Sequence, residues 1–216
     1  MGTITRAFAN NITTSGVFTS SAFNNDSFDN VTAVPSGSVE SGSMVLVSSA
    51  TASSSSSIEF TLGDYKEYKL FLVNMHPATD SANLEMNFST DNGSNYNVTK
   101  TTTFFEAEHA ENDSGSGLAY NSASDIAQGT GFQRIAGNVG GDADQCCNGI
   151  IHIFNPSSTT FVKHFTSRIS NTRSDNAEFD IYIAGYANTT SALTNIKFQM
   201  SSGDIDDGKI LMFGIN

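Results

Sequence analysis

The sequence predicts an all-β protein: a β-sandwich of jelly-roll type over residues 43–216, preceded by an extended N-terminal arm over residues 1–42. Three observations carry that expectation. Only 15% of the 216 residues are charged, against roughly 25% in an average globular chain, and Ser, Thr and Asn fill much of the polar surface instead. From residue 43 onward the apolar residues recur with a period of two, broken by Gly-, Asn-, Asp- and Pro-containing turns at short intervals. No segment carries a capped helical period, so the Lys-, Glu- and Leu-rich composition that favours helices is missing along with the pattern.

The arm comes first. Residues 1–42 hold only four charges, Arg6, Asp26, Asp29 and Glu40, and no sustained period. Their large apolar side chains include four spaced phenylalanines, Phe8, Phe18, Phe23 and Phe28. That spacing is too sparse for a core of its own. It suits a segment whose rings dock into a partner, where binding offsets the entropy of ordering the chain. These four residues are the candidate anchors.

The strands follow in order. Ser43–Val47 reads as a strand, and the serine run 53–57 as a loop. Residues 58–62 alternate cleanly before Gly63-Asp64 turns the chain. Residues 69–73 form the continuous apolar run of a central strand. Leu84, Met86 and Phe88 alternate with polar residues, and Tyr96 and Val98 resume the alternation, which predicts a hairpin across residues 89–95. Residues 106–130 are polar and acidic, a surface loop with room for one short strand. Strands return at 149–154, stopped by Asn155-Pro156, and then at 161–169, 179–187, 196–200 and 209–215. No internal repeat of 20–50 residues occurs, which disfavours a propeller or solenoid.

Several function classes are disfavoured. No run approaches about 18 consecutive apolar residues, so no membrane-spanning helix is expected. The opening Met1–Arg6 lacks the basic and apolar regions of a secretory signal. A formal net charge of −12, with 10 basic residues against 22 acidic ones, makes a poor partner for a phosphate backbone, so no nucleic acid is expected. The two cysteines are adjacent, Cys146-Cys147, and build neither a disulfide framework nor a four-ligand zinc site. One buried thiol at a strand edge, in a chain folded in a reducing cytosol, is the simplest reading.

Motifs with chemistry are few. Ser89-Thr90-Asp91-Asn92-Gly93-Ser94-Asn95-Tyr96 fits the Asp-box form of sialidases, but a single copy reads as a turn in which Asp91 accepts backbone N–H bonds and Gly93 supplies a positive φ. Acidic groups at 106–113, 142–144 and 204–207 lack the twelve-residue calcium-loop spacing, and no metal is expected. No nucleophile elbow, phosphate loop or His-Glu-x-x-His occurs. His152 and His164 sit in strand patterns and could face a core or a cleft. Tryptophan, prominent in sugar-binding platforms, is absent.

The two ends of the chain carry a resemblance. The opening Thr3-Ile4-Thr5-Arg6-Ala7-Phe8-Ala9-Asn10-Asn11-Ile12-Thr13-Thr14-Ser15-Gly16-Val17-Phe18 resembles the N-terminus of small structural proteins of marine tailed bacteriophages. The ending, Gly203-Asp204-Ile205-Asp206-Asp207-Gly208-Lys209-Ile210-Leu211-Met212-Phe213-Gly214-Ile215, is similar to the closing strand of phage fibre-tip and head-surface β domains. The resemblance implies a non-enzymatic virion protein of the head-decoration or fibre-knob type, without cofactor, folded and assembled in the host cytoplasm. It implies a homo-oligomer, often a trimer, whose arm attaches to major capsid or tail proteins while the β domain faces outward. The alternative is a tail-fibre or tail-tip protein that recognises host surface glycan. The resemblance transfers no functional residue.

Overall fold

The computed structural model describes residues 44–216, and the candidate anchors Phe8, Phe18, Phe23 and Phe28 lie outside them. The described chain is all-β, with two antiparallel sheets forming a sandwich. Its twelve strands are β1 (Met44–Thr51), β2 (Ile58–Thr61), β3 (Glu67–Pro77), β4 (Ala82–Ser89), β5 (Lys100–Ala110), β6 (Ser116–Tyr120), β7 (Gln133–Val139), β8 (Cys147–Phe154), β9 (Lys163–Thr172), β10 (Ala177–Ala187), β11 (Asn195–Met200) and β12 (Ile205–Ile215). The larger sheet runs β1-β12-β3-β8-β9-β10-β5-β6 and the smaller runs β2-β11-β4-β7.

Alternation decides which residues meet between the layers. In β3, Tyr68, Leu70 and Leu72 are buried while Lys69 and Phe71 stand on the opposite, outer face. β9 and β10 repeat the pattern with Phe165, Ile169, Phe179, Ile181 and Ile183 inside. The small sheet answers with Phe60, Leu84, Met86, Phe88, Ile196 and Phe198. Phe88 and Phe165 meet edge to face across the layers at 5.3 Å, the offset geometry that aromatic quadrupoles favour.

Three expectations are corrected. Residues 96–98 form no strand, so the turn at 89–95 closes no hairpin; β4 pairs instead with β11 and β7. Asn87 explains the departure, because its buried amide donates to the Tyr96 and Thr130 carbonyls and ties the segment down as irregular chain. In the polar interval 106–130 the one short strand for which the sequence left room is β6, and the correction is that β5 runs into the interval as far as Ala110. β5 and β6 form a hairpin in which Phe105 lies opposite Tyr120 and His109 opposite Ser116. β7 was not anticipated from the sequence pattern at all. The serine run does lie between strands, although Ser55 makes one bridge to Ile205.

The ends of several strands are held by buried polar groups. Lys100 is fully buried and its ammonium donates to the Val98 and Gly131 carbonyls. Lys163, also fully buried, donates to the Thr189 carbonyl. Both lie opposite Ala187 of β10, so two amines close the same end of the sheet. Desolvation without a facing carboxylate pushes the Lys100 pKa down to about 8.

The closing segment has a structural reason for its glycines. Gly208 sits at φ +126° where β12 breaks register with β3, and any Cβ there would lie 2.8 Å from the Asn74 carbonyl. Gly214 leaves room for the Tyr65 ring, which a methyl group would meet at 2.4 Å. Between them Ile210 and Met212 point into the core.

Candidate interaction surface

The outer face of the large sheet carries the most organised set of exposed side chains. The strand registers place one row of residues across all eight strands: Ser49, Leu211, Phe71, Ile150, Arg168, Tyr182, Phe105 and Tyr120. Each strand contributes the residue that alternation sends away from the core. Toward β1 the row is aliphatic and aromatic, with Phe71 and Phe213 edge to face at 5.5 Å. Toward β6 it is aromatic and cationic.

The centre of that second half is a stack. Phe105 and Tyr182 lie parallel with centroids 4.9 Å apart, and the Arg168 guanidinium lies over Tyr182 at 5.0 Å. Because β10 runs between β9 and β5, the ring of Tyr182 is covered on both faces. Arg168 also forks onto Asp180 with bonds of 3.0 and 2.8 Å. Those charge-assisted bonds hold the Asp180 carboxyl below the usual carboxylate range and the guanidinium above its own. Shallow depressions of about 470 and 400 Å³ flank Arg168, the first lined by Asn148, Ser170 and Glu178, the second by His152, Thr166 and Tyr182. They form a groove along β9.

His152 lines the second of these depressions, and His164 is exposed on the same outer face rather than in the core. His152 Nδ1 lies 2.6 Å from Glu67 Oε1, and His164 lies beside Tyr186. His76 is elsewhere, with Nε2 at 3.2 Å from the Asp142 carbonyl oxygen, in a polar hollow shared with Asp144, Cys146 and Asp206. Among the described residues, no group of three or more His, Cys, Asp or Glu side chains is placed to hold a metal ion. Both cysteines are free: Cys147 is buried, which pushes its thiol pKa up, and Cys146 is half-buried.

The Asp-box segment forms the expected turn. Asp91 Oδ1 accepts from the Asn95 backbone N–H at 2.9 Å and from the Ser89 hydroxyl at 2.6 Å, and Ser89 Oγ accepts from the N–H of Gly93. These donors lower the Asp91 pKa to about 2. Tyr96 does not pack on a hairpin; its hydroxyl donates to Glu59 and Lys197 lies over its ring, both on the outer side of the small sheet.

The edges of the two sheets differ in protection. β2 is four residues long, and its Glu59 is paired with Lys197. β7 carries Arg134 and its register with β4 is broken twice. β6 lies beside the carboxylates of Glu106 and Glu108. β1 has one register shift, after Leu46, and no charged residue, with Met44 48% and Leu46 50% exposed. Comparison with family models, curated proteins and solved structures finds no match to this chain.

Proposed function

We propose that the chain is a non-enzymatic structural protein of a bacteriophage virion, displayed on the particle surface as a head-decoration or appendage protein and attached through residues 1–42. The observation that carries this reading is the closing segment. The motif that resembles the end of phage surface domains is β12, which runs between β1 and β3 and needs its glycines where β12 passes Asn74 and Tyr65.

The sandwich is, in this reading, a jelly roll. With the hairpins β5–β6 and β9–β10 set aside, eight strands remain. In chain order the first pairs with the eighth, the second with the seventh, the third with the sixth and the fourth with the fifth. One long antiparallel ribbon rolled onto itself has that pairing, and it supports two interlocked Greek keys. The two hairpins widen one sheet beyond β8 and enlarge its outer face. Tyr182, with both ring faces covered, offers no open platform for sugar stacking, which weighs against the glycan-binding alternative.

Immunogold labelling of intact particles with antibody against residues 43–216 tests the proposal. Label over the head supports decoration, and label confined to the tail end supports an appendage. Particles that contain the protein but bind no antibody would overturn surface display.

A further inference from the structure

We infer that Asn92 is a site of self-modification, where the folded chain converts its own carboxamide to a carboxylate by ring closure onto the Gly93 nitrogen. The chemistry is the succinimide route open to Asn-Gly pairs. The Gly93 nitrogen attacks Asn92 Cγ, the N–Cγ bond forms and the Cγ–Nδ2 bond breaks. The Gly93 amide proton leaves with the carboxamide nitrogen as ammonia. Water then opens the ring at either carbonyl and leaves aspartate or an isoaspartate linkage, so solvent is the only co-reactant. Glycine favours the closure because it brings no Cβ to crowd the ring.

The chain holds two such pairs, Asn92-Gly93 and Asn148-Gly149, and the fold separates them. Asn148 lies in β8, where it pairs with Ser170, and Gly149 pairs with both Leu72 and Ile169. The Asn148 carboxamide is engaged at both ends: it accepts from the Asn74 N–H at 2.8 Å and donates to Cys146 Sγ at 3.3 Å. Asn92 instead lies exposed in the turn after β4. Its backbone N–H donates to Thr194 Oγ1 at 2.9 Å, and its carboxamide has no partner among the described residues. The Gly93 N–H donates to Ser89 Oγ at 3.0 Å. Ring closure must release the Gly93 bond and let the Asn92 backbone turn. Both acceptors are side-chain hydroxyls outside the ladders, so the turn opens without separating β4 from β11 or β7. Conversion places a carboxylate beside Asp91. In the isoaspartate form it also adds a main-chain methylene to the turn that sets the Tyr96 hydroxyl against Glu59.

The inference is independent of the virion reading. Peptide mapping by mass spectrometry, after incubation of the full chain in mildly alkaline buffer, tests it. In the folded protein Asn92 is expected to convert at least about tenfold faster than Asn148, because β8 must open before Asn148 reacts. In urea the two rates are expected to converge. Gly93→Ala is expected to slow conversion at Asn92 and leave Asn148 as it was, with unchanged circular dichroism. A folded protein in which Asn92 stays intact, or converts no faster than Asn148, overturns the inference. Rates that stay apart in urea overturn the role of the fold. A Gly93→Ala protein that converts at the wild-type rate overturns the ring closure.

Discussion

Lys100 concentrates the cost of this design at one residue. Its ammonium is held by two carbonyls and no carboxylate, so the folded chain binds that proton less tightly than the unfolded chain does. Between the folded pKa of about 8 and the ordinary value near 10.5, the unfolded state carries more protons, and stability must rise with pH across that window. The rise from this group is at most about 3 kcal/mol at roughly 1.4 kcal/mol per pKa unit. Below pH 8 the penalty is fully present and constant. Lys100→Met removes the dependence, so the thermal midpoint of the variant minus that of the wild type should fall from pH 8 to pH 10. An unchanged difference would mean that the amine is solvated. Gly208 makes a second test at this scale. Gly208→Ala places a Cβ against the Asn74 carbonyl at a positive φ, and a loss of about 2 kcal/mol or more is expected in urea unfolding.

At the level of elements, β12 holds the large sheet together. It pairs with β1 on one side and β3 on the other, and contributes Ile205, Ile210 and Met212 to the core. Deleting residues 208–216 strips β1 of its partner and β3 of one of its two, and should give insoluble protein; a soluble product would show that the strand is peripheral. β12, like β3 and β8, was legible as a strand from its run of apolar residues, and β10 and β11 from clean alternation. β5 and β7 were not. The inward positions of β5 include Lys100 and Thr102, and those of β7 include Gln133, so buried polar residues stand where a hydrophobic pattern would have announced a strand. β6 is exposed throughout and has no pattern to read. The outer row was invisible for a different reason: its eight members are scattered from Ser49 to Leu211, and only the registers bring them into line.

For the whole molecule, the decisive variable is electrostatic. With twelve more acidic than basic residues, contact between copies is opposed by a long-range repulsion that salt screens over about 10 Å at 0.1 M. The attachment role assigned to residues 1–42 has its own test. Deleting residues 1–30 should leave a folded sandwich that no longer enters particles, and normal incorporation would refute the anchoring role of Phe8, Phe18, Phe23 and Phe28.

The partnership of β1 with β12 also sets a timetable. Met44 lies opposite Ile215, so the first described strand waits for the last one to be synthesised. β2 waits for β11, and β3 has one neighbour in β8 and the other in β12. Such distant pairings give a high contact order, and loop-closure entropy must be overcome before they contribute. On the ribosome, β1 is an apolar strand with no mate until β12 emerges. Late closure therefore exposes the nascent chain to pairing with its neighbours, and the rate at which β12 docks decides whether the edge meets its own sheet first.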